Sequence, residues 1–173
     1  MNPITINGNW LQSVKDSIPE HAEDIKTNLT YVMDNHGLEE VDAHACAYAA
    51  AIAANNGGLA FEIEMNSPLF LTDMERQATK AAATLTCMFN TRITFAEACD
   101  ADSVELFAYS NNTYGVSKKK FYMYSLAASI VEKCNYSIKF YYNALLIEGM
   151  TVNQLRNVAK IAAVVNSIGK IAI

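Results

Sequence analysis

A chain of 173 residues, 51% hydrophobic and 18% charged, is globular, slightly apolar and long enough for one sizeable core. A formal net charge of −5 and a largest basic cluster of three residues, Lys118-Lys119-Lys120, argue against nucleic-acid binding. No stretch reaches the roughly 18 apolar residues that span a bilayer, and residues 1–10 show neither a basic nor an apolar leader region, so a cytoplasmic protein is expected.

The periodicity predicts helix throughout. Trp10, Leu11, Val14 and Ile18 form a first segment that ends at Pro19, which can itself open the next helix. That helix presents Ala22, Ile25, Leu29, Val32 and Met33 on one apolar face and stops at His36-Gly37. An alanine-rich helix from about Leu38 to Ala54 follows, and so much alanine implies close packing. Asn55-Asn56-Gly57-Gly58 reads as a stop signal. A short helix, about Leu59 to Asn66, precedes Pro68. Thr72-Asp73-Met74-Glu75 fits a capping box and opens the next helix.

From Asn90 to Ser117 the pattern weakens, with short helical pieces expected at Phe95–Ala98 and Ser103–Tyr109. Ser117 is a suitable N-cap for a long helix from Lys118 toward Glu148, with a break near Lys133, and Gly149 stops it. A final helix begins near Thr151 and carries Leu155, Val158, Ala162, Val165 and Ile168.

The chain repeats internally. Ala49-Ala50-Ala51-Ile52 matches Ala127-Ala128-Ser129-Ile130 at an offset of 78 residues. Residues 76–82 match residues 156–162 at an offset of 80. The expectation is an all-α fold of two related helical repeats, in a single domain over residues 1–173 with halves of about 20–98 and 99–173.

Four cysteines, Cys46, Cys87, Cys99 and Cys134, lie more than ten residues apart, which excludes a CxxC pair and the usual zinc spacings. Cys134 has Lys133 beside it, and a helix start there would favour its thiolate. The competing reading places Ala127, Ile130, Cys134, Ile138, Tyr141 and Leu145 on one buried helix face. His44 and Cys46, two apart, point in different directions on a helix, so metal binding is not expected. Tyr136, Phe140, Tyr141 and Tyr142 could line an aromatic pocket or belong to the core or an interface. Glu62, Glu64, Asp73 and Glu75 read as solvated helix surface. No phosphate-binding loop is visible, and no cofactor or metal is implied.

Three stretches carry a family resemblance: residues 18–29; Ala81-Ala82-Ala83 with Asn90; and residues 121–172, including Ser125, Ala127, Ser129, Cys134, Leu145 and Gly149. The chain resembles an AhpD-type alkylhydroperoxidase of the carboxymuconolactone decarboxylase-like superfamily. The resemblance implies an all-helical homotrimer, or a multiple of one, that reduces peroxides or passes electrons to a peroxiredoxin, with a lipoylated protein supplying electrons in some members. It also implies a site made of a Glu, a Gly-preceded CxxC, and two histidines.

At those positions this chain carries Tyr122 for the Glu, Lys133 for the Gly, Cys134 for the first cysteine, Ser137 for the second, and Tyr136 and Tyr141 for the histidines. The second cysteine of the family pattern attacks and the first resolves. A serine hydroxyl forms neither a sulfenate nor a disulfide, and tyrosine, with a pKa of about 10, is a poor base at neutral pH. Three readings follow: a member lacking the two-cysteine cycle and kept as an oligomeric binding protein; a single-cysteine peroxidase or thiol oxidoreductase using Cys134; or a decarboxylase or isomerase acting on a small lactone or acid.

Overall fold

A computed structural model describes residues 9–67, 69–100 and 111–171. Among them the backbone forms eight α-helices: α1 (Trp10–Ser17), α2 (Glu23–Asp34), α3 (Glu40–Ala53), α4 (Gly57–Asn66), α5 (Asp73–Cys99), α6 (Lys118–Glu132), α7 (Asn135–Ile147) and α8 (Val152–Ile168). The all-α expectation holds. Among the described residues, no helix is long and apolar enough to cross a membrane.

Alpha-helix α3 is the axis of the molecule. Ten consecutive residues, Asp42 to Ala51, are buried, so it is covered on every side. Six of the ten are alanine, whose small side chain lets α5, α6 and α8 approach closely. The most extensive contact is with α6, in which Met123 to Ser129 are likewise all buried. Around this pair, α8 contributes Leu155, Val158, Ile161, Val165 and Ile168, and α2 contributes Leu29, Val32 and Met33.

The same sequence of devices occurs twice. Asn55 (φ 53°) and Lys133 (φ 59°) are both left-handed and both precede the cap of a short helix. Thr72 with Glu75 and Thr151 with Gln154 then form two complete capping boxes, opening α5 and α8.

Three boundaries differ from the sequence reading. Pro19 sits before a single 3-10 turn, Glu20–Ala22, and α2 starts only at Glu23. Only Asn55 acts as a stop in the Asn-Asn-Gly-Gly stretch. Asn56 caps α4, its side-chain oxygen accepting from Leu59 N at 3.0 Å, and the two glycines form its first turn. Helix α5 does not fade at Asn90 but continues to Cys99 and ends at left-handed Asp100. Residues 91–99 are mostly exposed, so they carry no apolar period, yet they contain no Gly or Pro to stop the helix. The short helix expected at residues 103–109 lies outside the described residues.

Candidate functional site

The break near Lys133 is real and decides the surroundings of Cys134. Lys133 turns the chain, and Cys134 becomes the N-cap of α7 (φ −82°, ψ 101°) rather than a residue inside one long helix. The continuous face from Ala127 to Leu145 therefore does not exist, although Cys134 is still only 4% exposed. Its N–H donates to Ser129 O at 3.3 Å, and its C=O accepts from Ile138 N at 3.0 Å. Its side chain does not cap α7. The thiol instead points to Ser137, with Sγ 3.6 Å from Oγ, and Ser137 is buried as well.

A ring cluster lies nearby, between α6 and α7. Tyr122 meets Tyr141 edge-on at 5.4 Å between centroids and Phe140 at 5.9 Å, while Phe140 meets Tyr141 at 5.2 Å. The Lys118 ammonium stands 5.1 Å from the Tyr122 ring centroid. Tyr136 is 56% exposed and stands apart from this group. Of the five residues singled out from the sequence, the structure thus pairs Cys134 with Ser137 and Tyr122 with Tyr141.

Tyr122 and Tyr141 line a cavity of about 380 Å³ that Cys134 and Ser137 do not line. Helix α5 supplies Leu85, Thr86 and Phe89; α6 adds Lys118, Phe121 and Ser125; α7 adds Phe140; and residues 111–113 form an edge. Among these described residues there is no imidazole, carboxylate or thiol. The hydroxyls of Thr86 and Ser125 are buried, and among the described residues neither has a hydrogen-bond partner. The sequence marks Ser125 only as one of the residues carrying the family resemblance, not as a site residue, and Thr86 not at all. Their only signal is a small polar side chain on the core face of each of two helices that pack together.

The other titratable clusters are tied up structurally. His44 is fully buried and stacks on Phe70 at 3.9 Å between centroids. Its Nδ1 accepts from Trp10 Nε1 at 2.8 Å, so its proton sits on Nε2 and donates to Glu40 at 3.1 Å. Burial pulls the imidazole below its usual pKa, against the pull of Glu40. Burial would raise Glu40, but the bonds from His44 and His36 outweigh it and hold the carboxyl below its usual value. With both ring nitrogens used, His44 has none to offer a metal, and Cys46 is buried with its thiol pushed well up, by burial first and then by Asp42.

Lys120 bonds Asp42 at 3.2 Å and reaches Glu39 and Glu75, each at 3.6 Å. Burial raises Asp42 despite this lysine, and Tyr124 donates to the same carboxylate at 3.2 Å. All four acids expected on open surface are therefore engaged: Glu75 in this cluster and in its capping box, Glu64 with Tyr48 and Lys80, Glu62 with Asn66, and Asp73 with Arg76. Cys87 is exposed, but hydrogen bonding to Glu132, and then burial, push its thiol up.

No family model matches the chain. Whole-length relatives do. A protein of Coxiella burnetii named alkyl hydroperoxide reductase AhpD is 32% identical over 171 residues, covering 94% of this chain and 97% of the relative. Proteins of the same name from Rhodospirillum centenum (27% identity; 93% and 89% covered) and Methylocella silvestris (26%; 91% and 91%) are similar throughout.

Proposed function

We propose that this chain, which belongs to the AhpD family of alkyl hydroperoxide reductases, lacks the family's two-cysteine cycle and serves as a small-molecule binding protein. One observation carries the reading. The residue facing Cys134 is Ser137, at 3.6 Å, and the cavity beside them is walled by rings with no imidazole, carboxylate or thiol among its described lining residues. A peroxide reduced by a thiolate leaves a sulfenate, which a second thiol must resolve. Ser137 cannot supply that thiol. Tyr122 and Tyr141 stand where the family pattern has a carboxylate and an imidazole, and a phenol is a poor general base. Burial further separates Cys134 from any external reductant. On this reading neither a peroxiredoxin nor a lipoylated protein is needed as an electron partner.

The test is turnover of an organic hydroperoxide with a dithiol reductant, for the wild type and Cys134→Ala. The expected rate for both equals the protein-free control. Robust wild-type turnover that disappears in Cys134→Ala would overturn the reading in favour of a working cysteine.

A further inference from the structure

The cavity between α5, α6 and α7 has a polarity running along it. At one side stands Lys118, exposed, in the first turn of α6. That turn carries no acidic residue, so the positive end of the helix dipole is not neutralised there. The neighbouring Lys120 is consumed by Asp42, Glu39 and Glu75, whereas among the described residues no carboxylate pairs with Lys118. On the buried side stand the Ser125 and Thr86 hydroxyls. Each is shielded from water and has no partner among the described residues. A buried hydroxyl without a partner carries an uncompensated desolvation cost, which a bonded guest would remove. Between the two ends the walls are Phe89, Phe121, Tyr122, Phe140 and Tyr141.

These features specify a guest. Lys118 and Ser125 are seven residues apart on one helix, about 10.5 Å along its axis. A flat, apolar body must lie between rings that prefer edge and offset contacts. It needs an anionic group at the lysine end and a hydrogen-bonding group at the hydroxyl end. The volume of about 380 Å³ falls at the lower end of the roughly 300–1,000 Å³ typical of small-molecule sites. We propose that this cavity binds a small para-substituted aromatic acid, with its carboxylate on Lys118 and its ring hydroxyl on Ser125 and Thr86. The proposal deepens the binding-protein reading above and rests on it, since it assigns the cavity a ligand and no reaction.

Calorimetric titration with 4-hydroxyphenylacetate tests it, alongside phenylacetate, which lacks the ring hydroxyl, and 4-hydroxyphenylacetamide, which lacks the charge. The hydroxy acid should bind tightest of the three. Lys118→Gln should weaken the two acids about tenfold and leave the amide unchanged. Thr86→Val and Ser125→Ala, both close in shape to the original, should erase the advantage of the hydroxy acid over phenylacetate while leaving phenylacetate binding in place. That retained binding shows that the variants are folded. No binding of any probe at millimolar concentration would overturn the ligand class. So would equal binding of acid and amide, or indifference to Lys118→Gln. The titration contains no peroxide or reductant. Turnover in the hydroperoxide assay would therefore sink the loss of the cycle without touching this result, and a silent titration would sink the ligand class without restoring the cycle.

Discussion

Glu40 and His44 on α3 stand 78 residues before Lys118 and Tyr122 on α6, the offset at which the two halves match. Both pairs are spaced i, i+4 on the innermost helices, so the backbone presents them alike. Their fates are opposite. His44 is sealed by Trp10 and Phe70, and each ring nitrogen has a partner. Tyr122 lies against Lys118 and faces an open cavity. In the acid–imidazole pair, which looks the more catalytic, the imidazole is built into the core and only Glu40 is exposed. What differs is what packs on top. His44 lies under Trp10 of α1 and against Phe70, while Tyr122 meets the rings of α7. A register position does not make a site; access does.

The largest expected effect comes from removing the sealed imidazole. His44→Ala removes a fully buried ring and leaves Trp10 Nε1 without its acceptor, so it should destabilise by about 3 kcal/mol or more. Tyr122→Ala removes a half-buried ring and orphans nothing the structure shows, and should cost only about 1–2 kcal/mol. Urea unfolding of both variants measures the difference. Equal losses would mean that Tyr122 is as structural as His44.

Acid should sharpen the contrast next. The folded state holds His44 below its ordinary value of 6.5, so between the two values the unfolded chain binds the extra proton. Stability is then full above about pH 6.5 and falls as the pH drops toward the folded value, at no more than about 1.4 kcal/mol per pH unit. Glu40, lowered from 4.5, adds a loss of the same sign only in the carboxylate range, and Asp42, raised from 3.8, opposes it there. Unfolding midpoints at about pH 7.5 and about pH 5.5 isolate the histidine. His44→Gln should flatten the dependence, whereas Tyr122→Phe should leave it as it is.

How far the sequence reveals this contrast depends on what each residue reports. The helices with a buried face were legible because burial imposes a 3.6-residue period: α2, the start of α5, and α8 all show it. The capping box at Thr72 and the break at Lys133 were legible through local chemistry. The far end of α5 was not, because residues 91–99 face outward and nothing constrains their period. In the second half, the positions of Cys134, Ser137, Tyr122 and Tyr141 could be read one by one. Their division into a buried thiol–hydroxyl pair and a separate ring-lined cavity could not, because it depends on how α6 and α7 meet after the turn at Lys133. The polar side of that cavity stayed hidden because Ser125 and Thr86 look like ordinary small residues of an apolar face.

The smallest expected effect lies in the two turns that bring each half to its short helix. Asn55 and Lys133 share a left-handed conformation, φ 53° and 59°. Asparagine visits that region readily because its short amide can bond locally, whereas a lysine Cβ crowds the carbonyl and costs about 1 kcal/mol. The glycine that the family pattern carries before its first cysteine suits the same backbone. Lys133→Gly should therefore stabilise the protein by about 0.5–1 kcal/mol, even after the extra freedom glycine gives the unfolded chain. Asn55→Gly should change stability by only a few tenths, because there is little strain to release. The two variants use the same measurement at equivalent turns, so a gain at Asn55 matching that at Lys133 would show that the strain belongs to the turn and not to the lysine. A gain at Lys133 alone would mean that the second half keeps a costlier residue beside Cys134 than its fold requires.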